Sequence, residues 1–241
     1  MPKSVVDPLW HQRRAVPLIR PSVASRFPAP RKRGSRTGFV VDPFRRRSIV
    51  FESGLENQGI NVLVAAPQVA EIEEQVRPVR FLDRAGIDRS HCFDVRVRLI
   101  CGRRVAIAFK YEEDAHRDGL AELLQTIAQQ AFEEDANGNR VPFADEYRIV
   151  TERHLDGIRV RNAEMVVECG SDFDEEGQAI VRDRLAGAPR SFALGEVGRM
   201  TGLGSRGFRA AVALVQAGIV EVPLNHLIGS ATMVMNRLFN S

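Results

Sequence analysis

The sequence predicts an α/β (α+β) chain in which a sheet-and-helix unit is followed by a helix-turn-helix with a wing, and three observations carry that prediction. Short apolar runs between residues 49 and 110 alternate like strands and are interrupted by a helical stretch. The segment from Arg117 to Glu133 repeats Leu120, Leu123, Leu124, Ile127 and Ala131 on one helical face. From Ser191, two short helical patterns flank Thr201-Gly-Leu-Gly204 and lead into two apolar strands. With 241 residues, 44% hydrophobic and 27% charged, the chain is long enough for one large or two small cores.

Several function classes are excluded early. No stretch approaches the roughly 20 apolar residues of a bilayer helix, and the Pro- and Arg-broken N-terminus lacks the apolar run of a secretory signal. A cytoplasmic protein is expected, nucleoid-associated when bound to DNA. Cys92, Cys101 and Cys169 are odd in number with no C-x-x-C pair, which argues against a disulfide framework or a cysteine zinc site. The five histidines show no H-x-x-x-H spacing.

The net charge of +3 hides a split: residues 1–50 hold 12 Lys+Arg against 2 Asp, and the remainder holds 22 against 29. Seven of the twelve prolines also fall in those first 50 residues. The expectation is a flexible basic arm over residues 1–47, with Arg31, Lys32, Arg33, Arg36, Arg45, Arg46 and Arg47 as contacts to nucleic-acid phosphates. The alternative is a solvated tail, since 31 of the 34 basic residues are Arg and the bias can reflect genome composition.

Order begins near Ser48. Ile49-Val50-Phe51 reads as a strand, and Leu55, Ile60, Leu63 and Val64 as a helix ending before Pro67. Strands are expected at Val76 to Leu82, His91 to Ile100 and Arg104 to Lys110, and Asp135-Ala-Asn-Gly-Asn139 is a loop. A boundary near residue 140 divides a first domain, 48–140, from a second, 141–241, which opens with Tyr147 to Thr151.

Residues 91–110 carry the chemistry. Phe93, Val95, Val97 and Leu99 alternate on one strand, and Val105, Ile107 and Phe109 on the next. A three-residue loop Cys101-Gly102-Arg103 puts both sets on one face and pairs Leu99 with Val105, Val97 with Ile107 and Val95 with Phe109. Asp94 then faces Lys110, one of only three lysines. Such a pair can polarise a metal-bound water, or can be a plain cross-strand ion pair. Ser53-Gly-Leu-Glu56 has the spacing of a helix capping box, which by itself accounts for Glu56.

Together, Phe51-Glu-Ser-Gly-Leu-Glu56, Glu74-Gln75, Phe93-Asp94-Val95 and Ala108-Phe-Lys110 resemble the N-terminal domain of the TnsA-like endonuclease subunits of heteromeric transposases. The resemblance implies a restriction-endonuclease-like mixed sheet flanked by helices, and a Mg²⁺ (or Mn²⁺) site. Glu56 and Asp94 would be metal ligands, Lys110 would orient the attacking water, and Gln75 would be structural. Its partners would be DNA, a separate transposase subunit and an ATPase regulator. One departure matters: the family's Glu or Gln two residues before the lysine is Ala108, whose methyl group cannot ligate a metal. Glu112, Glu113 or Asp114 could replace it.

In the second domain, Ser191 is expected to cap a first helix bearing Phe192, Leu194, Val197 and Met200, and Ser205 a second bearing Phe208, Ala211, Val212, Leu214 and Val215. Ile219 to Val222 and Ala231 to Met235 would form the wing. Arg206 and Arg209 fall where a recognition helix meets DNA, although such domains also bind protein. Gly202-Leu-Gly-Ser-Arg-Gly207 spells a dinucleotide fingerprint, but follows a helical rather than a strand pattern. The expected function is a metal-dependent endonuclease subunit cutting one strand at transposon ends. The alternatives are a non-catalytic assembly protein that keeps the fold, and a winged-helix transcription regulator.

Overall fold

The computed structural model describes residues 17–26 and 36–239. Its centre is a four-stranded mixed sheet in the order β10-β7-β6-β3, formed by β3 (Val69–Glu74), β6 (Val95–Leu99), β7 (Arg104–Phe109) and β10 (Glu146–Val150). Neighbours β3, β6 and β7 run antiparallel, whereas β10 runs parallel to β7 and is reached through α2 (Glu112–Arg117) and α3 (Leu120–Gln130). A parallel neighbour needs such a crossover. The helix expected from Arg117 to Glu133 is α3, which starts after Gly119, whose φ of 59° suits a glycine, and stops at Gln130 before a strand at Phe132–Glu134, while α2 precedes it.

Both faces of this sheet are buried. On one, Val95, Val97, Val105, Ile107 and Phe109 pack under α1 (Gly54–Ala65). On the other, Ala106 and Ala108 lie in a second cluster with Leu120, Leu124 and Ile127 of α3. Phe93 was expected with Val95 and Val97 but belongs to this second cluster, stacked 5.7 Å from Phe143. The chain at 92–94 is not regular strand, so the alternation resets there.

Helix α1 is buried almost all round, with Leu55, Ile60 and Val64 nearly inaccessible. Each such side chain contributes about 1.5–3 kcal/mol. Its sheet side closes at Gly59, where a Cβ would lie 2.0 Å from the Phe109 ring. Its other side packs on α4 (Gly157–Gly170), and the first apolar cluster runs on without a break into the C-terminal half. The boundary expected near 140 is displaced, because β10 lies beyond it and completes the central sheet.

The expected arm through residue 47 is also corrected. Residues 38–51 form an antiparallel hairpin of β1 (Gly38–Asp42) and β2 (Arg47–Phe51). Asp42 is buried and accepts from the Phe44 and Arg45 amides and the Arg45 guanidinium. Arg45 also donates to the carbonyls of Val64, Val69 and Ala70, tying the end of α1 to the start of β3. Arg47 is buried against Glu74 and the Ile72 carbonyl, and Arg46 pairs with Glu175. Arg45 and Arg47 satisfy buried acceptors and carboxylates of their own chain, so they are not free phosphate contacts, whereas Arg46 makes an exposed ion pair. Arg36 is exposed, while Arg31, Lys32 and Arg33 lie outside the described residues.

The C-terminal half contains α5 (Glu175–Ala186), β11 (Ser191–Ala193), α6 (Val197–Thr201), α7 (Ser205–Ala213), β12 (Val220–Glu221) and β13 (Met233–Asn236). The last three strands named form an antiparallel sheet in the order β11-β13-β12. Ser191 begins a strand rather than capping a helix, because Phe192 pairs with Val234. The cap of α7 is Gly204, with no side-chain cap, so Ser205 is already helical. Half-buried β4 (Val79–Leu82) and exposed β5 (Asp88–His91) make a hairpin between β3 and β6, and β8 (Phe132–Glu134) pairs with β9 (Arg140–Pro142). Among the described residues, no helix is long and apolar enough to cross a membrane.

The Gly59 contact yields a prediction. Gly59→Ala forces the Phe109 ring aside and should destabilise the protein by about 1–3 kcal/mol. Urea denaturation checks this, and an unchanged midpoint would mean that the ring moves without cost.

Candidate functional site

The site forms where α1, β3 and β6 begin or end together. Ser53 is extended and caps α1, accepting from the Glu56 amide at 3.1 Å. Glu56, on the first turn, folds its carboxylate back to the amide of Glu52 at 2.8 Å, one residue before the cap. The capping expected from the spacing is thus half realised, and Glu56 is buried rather than solvated. At the end of β3 the chain turns through Gln75, a buried residue with φ of 45°, a left-handed conformation unusual for a side-chain-bearing residue. Its amide donates to the Asp94 carbonyl at 2.7 Å and its side-chain nitrogen to Glu56 Oε2 at 3.3 Å. Gln75 therefore has more than the structural part expected of it: it connects the strand end to the helix carboxylate.

Asp94 precedes β6. Its Oδ2 accepts from the Phe109 amide at 2.7 Å, which fixes it against the end of β7. Burial, and then repulsion from Glu56, push its carboxyl up to about 7, against the pull of the Phe109 amide and Arg26. Glu56 is raised too, first by burial and then by Glu52, with the Glu52 amide, Ser53 and Arg26 opposing. Burial also raises the partly buried Cys92 thiol, which donates to the Val76 carbonyl. Acid side chains held together at such a cost are one mark of a functional site.

The expected pairing of Asp94 with Lys110 is overturned. The observed register pairs Val95 with Ile107 and Val97 with Val105, which continues to Asp94 beside Ala108. The loop is Ile100-Cys101-Gly102, closed by Leu99 and Arg103, with Gly102 at φ 87° in the last loop position. A three-residue hairpin loop places its left-handed residue there, not in the middle. Lys110 lies two residues beyond Ala108 in sequence, and its ammonium meets Asp118 Oδ2 at 3.1 Å. The lysine amide donates to the Val150 carbonyl, so β10 holds the backbone at this point. Glu112 is engaged with Arg153 and lies near the exposed His116, and Asp114 pairs with Arg117, so neither replaces the oxygen that Ala108 lacks.

Two further groups complete the site, Glu52 and Arg26. Glu52 lies within the Phe51–Glu56 stretch that points to Glu56, directly before the Ser53 cap, and its spacing carries no signal of its own. Arg26 comes from the Pro-rich segment, which carries no periodicity. Its Nε donates to Gln75 Oε1 at 3.0 Å and its Nη2 reaches Glu52 Oε2 at 3.1 Å. Among the described residues, no three His, Cys, Asp or Glu side chains converge closely enough to enclose a metal ion. What is present is a carboxylate pair, Asp94 and Glu56, whose mutual repulsion a cation would relieve.

The residues expected to read DNA in the C-terminal half have other partners. Arg206 clamps the buried Asp174 with Nε and Nη2 at 2.8 and 2.9 Å and also meets Glu176. Arg209 holds Asp172 and Glu168. Helix α7 packs against α4, α5 and α6, and only Ser205 on it is fully exposed. Arg206 and Arg209 are thus engaged by carboxylates of their own chain, and Arg206, Phe208 and Arg209 remain only partly exposed on α7. The glycines of Gly202 to Gly207 make the tight turn between α6 and α7, where Gly198 meets the Gly204 carbonyl, and the element directly before them is helix α6 rather than a strand.

No protein-family model and no curated protein matches this chain.

Two outcomes follow from the geometry. Because the folded carboxyl of Asp94 titrates near 7 rather than 3.8, its ionisation opposes folding, and the stability of the wild type relative to Asp94→Asn should fall as pH rises from about 4 to about 7 and then level off. Urea midpoints across that window test it, and parallel curves would contradict the burial of the charge. Arg206→Ala leaves the buried Asp174 without its cation and should cost about 3 kcal/mol, read as a lowered unfolding midpoint.

Proposed function

We propose that this chain is a divalent-metal-dependent DNA endonuclease subunit similar to the TnsA-like family, cutting one strand at transposon ends. The observation that carries the reading is the approach of Glu56, from the first turn of a buried helix, to Asp94, just before a central strand, beside the strand that Lys110 follows. A mixed sheet flanked by helices supports it. The C-terminal order of helix, strand, two helices and two strands, with the sheet order β11-β13-β12, supports a winged-helix domain. The enclosure of α7 makes protein assembly its better use, in keeping with a transposase subunit and an ATPase regulator as partners, rather than transcriptional regulation.

Asp94 and Glu56 would hold Mg²⁺ or Mn²⁺, which supplies Lewis acidity at a phosphodiester and a bound water of lowered pKa. The Phe109 amide holds Asp94 Oδ2, the Glu52 amide and Gln75 hold Glu56 Oε2, and Ser53 also bonds the Glu56 carboxylate; these bonds orient the two carboxylates. Lys110, released from Asp118, would orient the attacking water and stabilise charge building on the phosphate. Gln75 keeps the helix and strand carboxylates in step.

A second reading has its own observation. Ala108 is packed against α3 at the register position beside Asp94 and offers no ligand, which favours a non-catalytic assembly protein that retains the fold.

Supercoiled plasmid with Mg²⁺ or Mn²⁺, alone and with the partner transposase, separates the two. Nicking is expected, with Asp94→Ala and Lys110→Ala each reducing it by roughly 100-fold or more. Mg²⁺ should also raise the melting temperature of the wild type and not of Asp94→Ala. A wild type that stays silent in the partnered reaction overturns the enzyme reading.

A further inference from the structure

The segment Pro17 to Arg26 lies along the edge of the site rather than away from it. Arg20 bridges to Arg47, the Ser22 hydroxyl and Val23 amide donate to the buried Glu74, and the Ser25 amide and hydroxyl both donate to the Gln75 carbonyl. These bonds fix the backbone immediately before Arg26. The guanidinium then reaches Gln75 at 3.0 Å and Glu52 at 3.1 Å, and also meets Cys92. Gln75 in turn holds Glu56, so the arginine is one hydrogen-bonded residue away from the carboxylate pair.

Two features argue that this placement serves binding. The Arg26 side chain remains 52% exposed, and an exposed ion pair contributes little to stability. Its partners use only part of a five-donor fork whose geometry matches the paired oxygens of a phosphodiester. The surroundings also call for a cation, because Glu52, Glu56 and Asp94 would repel an anionic backbone. We infer that Arg26, carried by the strap of residues 17–26, is the phosphate-binding residue of this site, holding the DNA backbone over the Glu56 and Asp94 carboxylates. The inference rests on the nuclease reading for what lies beneath the phosphate. The N-terminal region is thereby assigned a defined contact in place of a diffuse one.

The test uses the full chain and a fluorescein-labelled DNA duplex of mixed sequence, with Ca²⁺ present in place of Mg²⁺ and the affinity measured over a salt series. Arg26→Gln keeps a hydrogen-bonding side chain and removes the charge. It should weaken binding roughly fivefold at low salt and flatten the log–log salt slope by about 0.9, the loss of one phosphate contact. Arg26→Lys should keep the slope and recover part of the affinity. Ser25→Ala loosens the strap without changing charge and should leave the slope unchanged. An Arg26→Gln protein with wild-type affinity and slope overturns the inference, as does a Ser25→Ala protein with the same slope loss. Parallel plasmid assays keep the two ideas apart: nicking abolished by Asp94→Ala but indifferent to Arg26→Gln leaves the nuclease reading standing alone. If the wild type does not nick, the salt slope still decides whether Arg26 holds phosphate.

Discussion

The packing of α1 sets the terms for the remainder of the molecule. One side lies so close to β7 that only a glycine at position 59 leaves room for the Phe109 ring, and the other lies against α4, so that a single apolar cluster extends from the first hairpin to the last strand. A helix enclosed on both sides has no freedom to tilt. Its first turn, with Ser53 and Glu56, is therefore presented to Gln75 and Asp94 at a fixed height. Arg45 adds a restraint at the opposite end by binding carbonyls of α1 and β3 at once.

Against this apolar framework, the charges follow a consistent pattern. Most arginines near the core are engaged by carboxylates or carbonyls of neighbouring elements: Arg47 with Glu74, Arg96 with Glu73 and Glu133, Arg206 with Asp174. The pair formed by Asp94 and Glu56 is different in kind, since each carboxylate is held by hydrogen bonds yet raised by burial and by a neighbouring carboxylate, Glu56 for Asp94 and Glu52 for Glu56. Gln75 sits at the junction in a left-handed conformation, and such strain persists only where the surroundings over-determine it.

Much of this was legible in the sequence, and where it was not the reasons are specific. The hairpin from 95 to 109 and its shared apolar face were visible in strict alternation. Its register was not, because periodicity fixes only the parity of the pairing, and the choice among odd loops depended on where Gly102 would sit. Strand β3 escaped notice because Glu71, Glu73 and Glu74 look solvated, although Glu74 is buried against Arg47. The run Arg45-Arg46-Arg47 read as one basic patch, while the structure gives its members three different fates. Glu56 and Asp94 could be singled out as candidates; their approach to one another, and the arrival of Arg26 from a segment without pattern, depend on tertiary contacts that no local spacing encodes. For the same reason Arg206 and Arg209 looked like a recognition surface, since the helices that enclose them lie some thirty residues earlier in the chain.

The parallel pairing of β10 with β7 has a bearing on synthesis. The edge of β7 runs up to the Lys110 amide, and its hydrogen-bonding partners arrive only when Val150 has been made. Until then the nascent chain carries an open strand edge at Val105 to Phe109, a stretch rich in Val, Ala, Ile and Phe. Unpaired edges of that composition invite pairing with other chains. The crossover through α2 and α3 shields one face meanwhile, but not the edge, so the ribosome-bound intermediate is most exposed to misassembly at the strand that later leads into the lysine.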